Sequence, residues 1–567
     1  MPYRAPLADT RFILAHVAGF AEVAATERFA TATPDLVDAV LTEAARISSD
    51  VLAPLNRISD KVGARLENGV VTSPPGFDAG YRAIAEGGWI GISADLAFGG
   101  MGLPIALSAA VDDMMAGACI ALQVNPLLSK GQIEALQHHA SDEIKALYLP
   151  KLISGEWSGT MNLTEPQAGS DVGALRTRAE FLDDGAYAIT GQKIYISWGD
   201  SDLVANVCHL VLARLPGAAE GTRGISLFMV PKFLPDQAGK PGVRNGVRVV
   251  SIEHKLGLHG SPTCVMQFDA AKGWLVGEPN RGMAAMFTMM NNARLGVAVQ
   301  GVGVAEAALQ HALAYAQDRR QGETPVSGSG AIIDHADVRR MLATMRAEVF
   351  AARAIALSCA VATDMAVATG GVDWAARSAL LTPIAKAYGT DVGNAVAHQG
   401  VQVFGGMGFI EETGAAQFVR DVRITAIYEG TNGIQAMDLV GRKMSDGGEA
   451  AFRMIDEVQR GAEAARAALP DLAGDVWAAA EALRDATERL VGQALNDRFA
   501  GAVPYLRAFA RVLGGHMHLK AALADSARLP VAQVMIRRLL PEHQGLLAEV
   551  REGAAGLYAV TPADLAP

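Results

Sequence analysis

The stretch Gln399–Gln435, QGVQVFGGMGFIEETGAAQFVRDVRITAIYEGTNGIQ, decides how the rest of the chain is read. Gly405, Gly406 and Gly408 leave a backbone that a bulky anionic ligand can approach closely. About twenty residues later a single carboxylate, Glu429, stands between Tyr428 and Gly430. Taken alone, Glu429 reads as a solvated turn residue. The motifs that precede it, and their order, reverse that reading.

At 567 residues and 59.3 kDa the chain exceeds one ordinary core, and its length predicts three or four domains. Hydrophobic residues make up 50% and charged residues 19%, so large cores can be buried. The net charge of −11 and pI near 5.6 argue against a broad polyanion-binding surface and a nucleic-acid partner, while leaving room for a local basic nucleotide pocket. Cys119, Cys208, Cys264 and Cys359 lie far apart without a C-x-x-C pair, so neither a disulfide framework nor a metal site is expected. The N-terminal run MPYRAPLADTRFILAHVAGF lacks a long signal-like apolar core. No uninterrupted apolar run of about 20 residues suggests a membrane span, so the expectation is a soluble cytoplasmic protein.

Texture divides the chain into four segments and predicts an α+β multidomain fold. Residues 1–158 read as an N-terminal helical domain, with Asp35 as candidate N-cap of LVDAVLTEAARISSDVL. After the loop ADLAFGGMGLP, the run MMAGACIALQVNPLLSKGQIEAL has the spacing of a core helix. At WSGTMNLTEPQAGSD, residues 157–171, Pro166 and Gly169 interrupt regular structure and Thr164 and Ser170 offer hydroxyls. An ordinary helix-to-strand connection and a ligand loop are equally good readings of it. Residues 159–279 form a middle β domain with strands in YAITGQKIYIS, LVANVCHLVLARL, GISLFMVPKFL, VRVVSIEH and CVMQFDAAKGWLV. Residues 280–445 predict a C-terminal four-helix bundle in which Met286, Met289 and Met290 are core. Residues 446–567 are an Ala-rich helical extension that packs on the main body or on a neighbouring subunit.

These motifs, in this order, resemble the acyl-CoA dehydrogenases. The likeness rests on Thr164–Asp171, Tyr195–Ser197, Gly405–Gly408 and the Tyr-Glu-Gly-Thr turn at 428–431. It implies FAD as cofactor and Glu429 as catalytic base. It further implies flavin contacts from Met161, Leu163, Thr164, Gly169, Ser170, Tyr195, Ile196 and Ser197, with Thr431 also at the cofactor. Arg319 is implied at the FAD pyrophosphate, with Arg320 as alternative, and Gln402, Gly405 and Gly406 at the adenosine end, from an adjacent subunit. Ser170 and Arg294 are implied at the CoA portion of the substrate, Tyr428 and Gly430 beside the acyl group, and Phe98, Val124 and Leu128 in its pocket. Tyr195 and Ser197 replace Trp and Thr, keeping an aromatic face and a hydroxyl. His259, His335, Asn432 and Gly433 depart from the family's usual residues, and Gly433 has no side chain to offer. In some members the base precedes the arginine matching Arg294, where this chain has Asn292 and Ala293, so Glu429 has no rival there.

The implied chemistry removes an α-proton from an acyl thioester and transfers the β-hydrogen as hydride. A carboxylate suits the first task in a dry pocket, where desolvation raises its basicity. Preorganised donors suit the developing charge on the thioester oxygen. The extension and the segment EHKLGLHGSPT resemble a longer subgroup, that of the 3-methylmercaptopropionyl-CoA dehydrogenases. That subgroup implies 3-(methylthio)propanoyl-CoA or a short or medium straight-chain acyl-CoA as substrate, an electron-transferring flavoprotein as acceptor, and a homodimer or dimer of dimers. A flavin-bearing binding protein of the same fold with little activity, and an acyl-CoA oxidase, are the alternatives.

Overall fold

The computed structural model describes residues 3–324 and 330–567. The chain folds into two compact units, one of residues 1–45, 104–113 and 297–567, the other of residues 46–103 and 114–296.

The second unit is organised by a seven-stranded sheet. Its strands are β1 (Trp157–Asn162), β2 (Arg178–Phe181), β3 (Tyr187–Ser197), β4 (Asn206–Arg214), β5 (Ile225–Pro231), β6 (Val247–Ile252) and β7 (Thr263–Val276). The order is β6-β7-β3-β2-β4-β1, with β5 pairing β7 and β4. β4 and β5 are buried along almost their whole length, which is why they read as continuous apolar runs rather than alternating ones. Ile189, Ile196, Val211, Phe228, Val230, Met266 and Phe268 form the core on one face of the sheet.

Several strands were not anticipated by texture, β2 among them. β1 pairs in parallel with β4, from Trp157 opposite Asn206 to Asn162 opposite Val211, where a connection or ligand loop was expected. Its Ser, Thr and Asn carry no β signature, and pairing with a neighbour far along the chain overrides propensity. Inside the supposedly helical first segment, Arg65–Glu67 and Val70–Thr72 form a hairpin. Its turn residues Asn68 and Gly69 both have positive φ, +53° and +76°, as an Asn-Gly hairpin turn requires. The expected cap at Asp35 also shifts. The helix Pro34–Ile47 begins two residues earlier than that cap implies, and the Leu36 N–H donates to the Thr33 hydroxyl at 3.4 Å.

Long helices dominate the first unit. Helix α1 (Ile105–His139) belongs to it as far as Asp113, and α2 (Gly282–Asp318) from Val297 onward; α3 (Ala336–Thr369) and α4 (Val372–Phe404) lie wholly within it. A Cβ on Gly301 would stand 2.4 Å from the Gly389 carbonyl oxygen, and one on Gly393 2.8 Å from that of Gly301. Glycine at these positions lets the backbones of α2 and α4 meet. Instead of a fourth long helix, the chain after Phe404 breaks into short pieces, Ala415–Val422 and α5 (Asn432–Gly441). Positive φ at Gly405, Gly414 and Gly430 provides the breaks. The extension is helical as expected, and its helix α6 (Ala502–Ala524) packs against α3, α4 and α5.

Several of the charges buried in this unit are paired. Arg353, 1% exposed, donates from Nε to Asp113 at 2.6 Å and from a terminal nitrogen to Glu306 at 3.0 Å. On α6, Arg511 donates to Glu348 at 2.5 Å, and the Tyr388 hydroxyl on α4 donates to the same carboxylate at 2.5 Å. Helices α1 and α3 are long and apolar enough to cross a membrane, but their apolar stretches are almost entirely covered by protein. All four cysteines are buried thiols.

Histidines buried as neutral rings couple folding to pH. His209 on β4 pairs with the Thr160 hydroxyl at 2.7 Å, and burial pushes its imidazole down to about 3. His516 and His518 are pushed down to about 4 by the same cause. Below about pH 6.5 the unfolded chain takes up protons that these folded rings refuse. Their contribution is complete above that value and is lost as pH falls toward 4 and 3, at up to about 1.4 kcal/mol per pH unit for each ring. His209→Gln, followed by Tm between pH 6.5 and 4, is expected to lose less stability than the parent on acidification. An identical loss would show that His209 charges in the folded state.

Candidate active site

In the first unit, Glu429 sits half-buried in the turn between Ile427 and the start of α5, with φ +57°, a left-handed conformation that costs a non-glycine residue on the order of 1–3 kcal/mol. Gly430 follows at φ +84°. Such a backbone persists only where its surroundings over-determine it, and here the restraints come from four directions. The fully buried Lys386 of α4 donates from Nζ to the Gly430 carbonyl at 2.9 Å and to the Asn432 side-chain oxygen at 2.9 Å. Gln435, buried on α5, donates to the carbonyls of Glu429 at 3.2 Å and Gly430 at 3.4 Å. The Thr431 hydroxyl accepts the Ile434 N–H at 3.2 Å and caps α5. The Tyr428 hydroxyl makes a short bond to the buried Gln300. Burial, with the Glu429 charge adding to it, raises the Tyr428 hydroxyl far above its ordinary range, so the phenol stays protonated and donates.

The Asn432 side chain is saturated. Its nitrogen donates to Asp391 at 2.7 Å, to the Thr390 hydroxyl at 3.0 Å and to the Ala387 carbonyl at 3.3 Å. Burial raises the Asp391 carboxyl, and the bond from Asn432 opposes that rise. Asn432 is thus a structural link to α4, not merely a departure from a motif.

The glycine-rich stretch separates into two roles. At the end of α4, Gly405 has φ +60° and ψ −140°, and a Cβ on Gly405 or Gly406 would meet nothing. Both are exposed and leave room for a ligand's backbone approach. Gly408 differs, because a Cβ there would come within 2.3 Å of the Val401 carbonyl oxygen, so packing explains it. Gln402 is exposed on the last turn of α4, and its carbonyl accepts the Gly405 N–H. Arg319 is exposed just past the end of α2. His335 is tied to the Gln321 carbonyl at 2.7 Å.

The second unit carries the other motif residues. Met161, next to last on β1, is half-buried, and Leu163, Thr164, Gly169 and Ser170 lie on the loop that follows, the last two exposed. Glu165 is the hub of that loop. Its carboxylate accepts from Lys193 Nζ at 2.8 Å, the Thr177 hydroxyl at 2.6 Å, the N–H groups of Arg176 at 2.7 Å and Thr177 at 3.0 Å, and Gln167 at 2.7 Å. Lys193, itself fully buried, also donates to the Leu163 carbonyl at 3.0 Å. Burial opposes ionisation of Glu165, but Lys193 and these hydrogen bonds overcome it and draw the carboxyl down to about 2. Lys193 is lowered by burial to about 8, an effect its pairing with Glu165 limits.

On the same strand, Tyr195 has φ +61° and is 61% exposed. Pairing jumps from Lys193–Met266 to Ile196–Cys264, so β3 carries an extra residue here. The bulge turns the Tyr195 ring outward, which strand alternation alone does not predict. Ile196 is 2% exposed and belongs to the core, so it can offer a ligand only its main chain. Ser197 is half-buried. Arg294 on α2 is buried, 4% exposed, and reaches Asn291 at 3.5 Å. Val124 and Leu128, one turn apart on α1, are buried, and Phe98 is half-buried. His259 is held by the Asp60 carboxylate at 2.9 Å and the Lys255 carbonyl at 3.0 Å, a structural tie in place of the family's arginine.

Each unit by itself carries groups of the kind FAD needs: in the second, an exposed aromatic face at Tyr195 and hydroxyls at 164 and 170; in the first, open glycines at 405 and 406 and the Arg319 guanidinium. Sequence reasoning missed Lys386, Gln300, Gln435, Glu165 and Lys193. Lys386 had a legible signal, as the one charge in the apolar run LLTPIAKAYG.

Comparison with known proteins agrees with this arrangement. Residues 57–156, 160–271 and 280–444 match the N-terminal, middle and C-terminal domains of acyl-CoA dehydrogenases, and residues 454–561 match the "Acetyl-CoA dehydrogenase C-terminal like" family. The chain is 45% identical over 546 residues to 3-methylmercaptopropionyl-CoA dehydrogenase of Ruegeria pomeroyi, covering 93% of this chain and 92% of that one. Butyryl-CoA dehydrogenase from Megasphaera elsdenii superimposes with a TM-score of 0.61 at 26% identity, over 72% of this chain and 98% of that one. Caenorhabditis elegans ACDH-11, solved with C11-CoA, shares the fold at a TM-score of 0.79 and 21% identity, over 94% of this chain and 91% of that one. The chain therefore belongs to the acyl-CoA dehydrogenase family, with its additional C-terminal domain, and is an enzyme for FAD-dependent α,β-dehydrogenation of an acyl-CoA thioester.

Lys193→Met leaves the Glu165 carboxylate buried without its partner, a change that costs about 3–5 kcal/mol. The expected outcome is a lower Tm together with weaker FAD retention on gel filtration. Full retention with an unchanged Tm would show that the pair does not organise this loop.

Proposed function

We propose that Glu429 is the base that removes the α-proton of the acyl-CoA, and that the substrate is 3-(methylthio)propanoyl-CoA or another short or medium straight-chain acyl-CoA. The observation that carries the proposal is the Glu429 turn: a glutamate in a left-handed backbone conformation, restrained through its own carbonyl and that of Gly430. A restrained carboxylate meets its substrate without first losing conformational freedom, which favours proton transfer. The main chain of the same turn is a candidate donor to the thioester oxygen as charge develops there. Tyr428 and Gly430 flank the acyl group, and Ser170 and Arg294 serve the CoA portion.

Met161, Leu163, Thr164, Gly169, Ser170, Tyr195, Ser197 and the Ile196 main chain would hold the flavin ring, with Thr431 also at the cofactor. Arg319 would neutralise the pyrophosphate, and Gln402, Gly405 and Gly406 would receive the adenosine end from an adjacent subunit. Bound FAD supplies the hydride acceptor. In keeping with the family resemblance, the acceptor would be an electron-transferring flavoprotein, the assembly a homodimer or dimer of dimers, and the location cytoplasmic. The substrate class is supported by the 45% identity to the Ruegeria pomeroyi protein, and a thioether differs little in size from a methylene.

The test is anaerobic mixing of the flavin-loaded protein with a panel of acyl-CoAs, including the methylthio compound, while oxidised-flavin absorbance is followed. Bleaching is expected with the short members and is expected to vanish in Glu429→Gln. Bleaching that survives in that variant would remove Glu429 as base. Stoichiometric peroxide on admitting air would mark an oxidase instead.

A further inference from the structure

Lys386 contacts the turn that carries Glu429 directly, and Asn432 ties the residue after it to α4. Lys386, Ala387, Thr390 and Asp391 lie within about one and a half turns of α4 and present four successive partners to the turn. Lys386 Nζ bonds the Gly430 carbonyl and the Asn432 side-chain oxygen, each at 2.9 Å. The Thr390 hydroxyl lies 3.2 Å from the same oxygen, and the Asn432 amide nitrogen reaches Asp391 at 2.7 Å. The asparagine is chemically specific here: its oxygen meets a cation and its nitrogen meets a carboxylate. An aspartate would lose the donor and face Asp391 with like charge, and a leucine of similar size would lose both bonds.

Fixing the Gly430 carbonyl fixes the peptide that begins one residue after the base, so the clamp sets where the carboxylate points. The charges beside the turn are the fully buried Lys386 and the Asp391 carboxyl, which burial raises and which Asn432, Arg507, Lys386 and Arg423 draw down; a buried cation favours ionised carboxylates near it more strongly than one in water.

We propose that Lys386 and Asn432 form a positioning clamp for the catalytic base, in which Asn432 sets the geometry of the Glu429 turn and Lys386 sets both its geometry and its charge. This rests on the reading of Glu429 as the base. Neither residue touches substrate in this scheme; both act through the turn.

The experiment measures the rate of anaerobic flavin reduction by an acyl-CoA that bleaches the parent enzyme, across pH 5 to 9, in Lys386→Met, Lys386→Arg, Asn432→Leu and Glu429→Gln. FAD content and Tm are recorded for each, so that a loss of folding is not read as a loss of positioning. Lys386→Met is expected to slow reduction about tenfold or more and to move the acidic limb of the profile upward by about one pH unit, because the base loses a nearby cation. Lys386→Arg is expected to be slowed while its limb stays in place, since the charge survives. Asn432→Leu is expected to be slowed likewise, with an unmoved limb.

A parental rate and profile in Lys386→Met, with FAD bound, would overturn the clamp. If that variant does not fold, a parental rate in Asn432→Leu overturns the geometric role, and a displaced limb in Lys386→Arg overturns the electrostatic one. Glu429→Gln separates the two levels of inference. An inactive Gln variant beside an unaffected Lys386→Met defeats only the clamp, whereas an active Gln variant defeats the base assignment itself.

Discussion

The hydrogen bond from the buried Lys386 ammonium to the Gly430 carbonyl is the interaction on which the site most depends. A glutamate at φ +57° is a costly backbone state that the local sequence cannot sustain. It is sustained because α4 lies beside the turn and offers a cation, a hydroxyl and a carboxylate at the right spacing. Burying an ammonium group is itself unfavourable unless its protons are satisfied. The turn and the lysine therefore each make the other tenable, and a change to either is felt by both.

The second unit solves a similar problem with similar parts. Lys193 is buried like Lys386, and it too donates to a main-chain carbonyl, that of Leu163, while pairing with a side-chain oxygen. Glu165, unlike Asn432, is charged, and it draws two backbone N–H groups from beyond the loop onto its carboxylate. In both units a long side chain on a regular element reaches the backbone of an irregular one. Rigid elements thereby lend their precision to loops, which have too few backbone hydrogen bonds of their own to be rigid.

The C-terminal extension is integrated with these parts rather than appended. Arg511 on α6 bonds Glu348 of α3, and Tyr388 of α4 bonds the same carboxylate, two residues along from Lys386. Helix α6 also packs against α5, the helix that Thr431 caps immediately after the base turn. At the N-terminus, Asp9 pairs with Arg528 at 2.6 Å and with Arg346 of α3, so both ends of the chain are fastened to the same bundle. The carboxylates of Asp9 and Glu348 are buried while their arginines are partly exposed, and a buried carboxylate left without its cation is destabilising.

Much of this was legible from residue order alone. Helical and strand periodicities are set by local backbone geometry, so the helix-rich segments, most of the sheet and the helical extension could be read along the chain. Glycines flanked by particular neighbours carry their conformational freedom in their identity, which made the turn at 428–431 and the stretch at 405–408 visible. The tertiary structure alone decided what those glycines are for: Gly405 and Gly406 face open space, whereas Gly408 is demanded by the Val401 carbonyl. It alone decided that β1 is a strand, because its partner β4 lies some fifty residues away. It alone turned Tyr195 outward, through one extra residue in a ladder. And it alone chose Lys386 and Asn432 as the restraints on Glu429, because hydrogen bonds between residues more than forty positions apart depend on packing that no local pattern encodes.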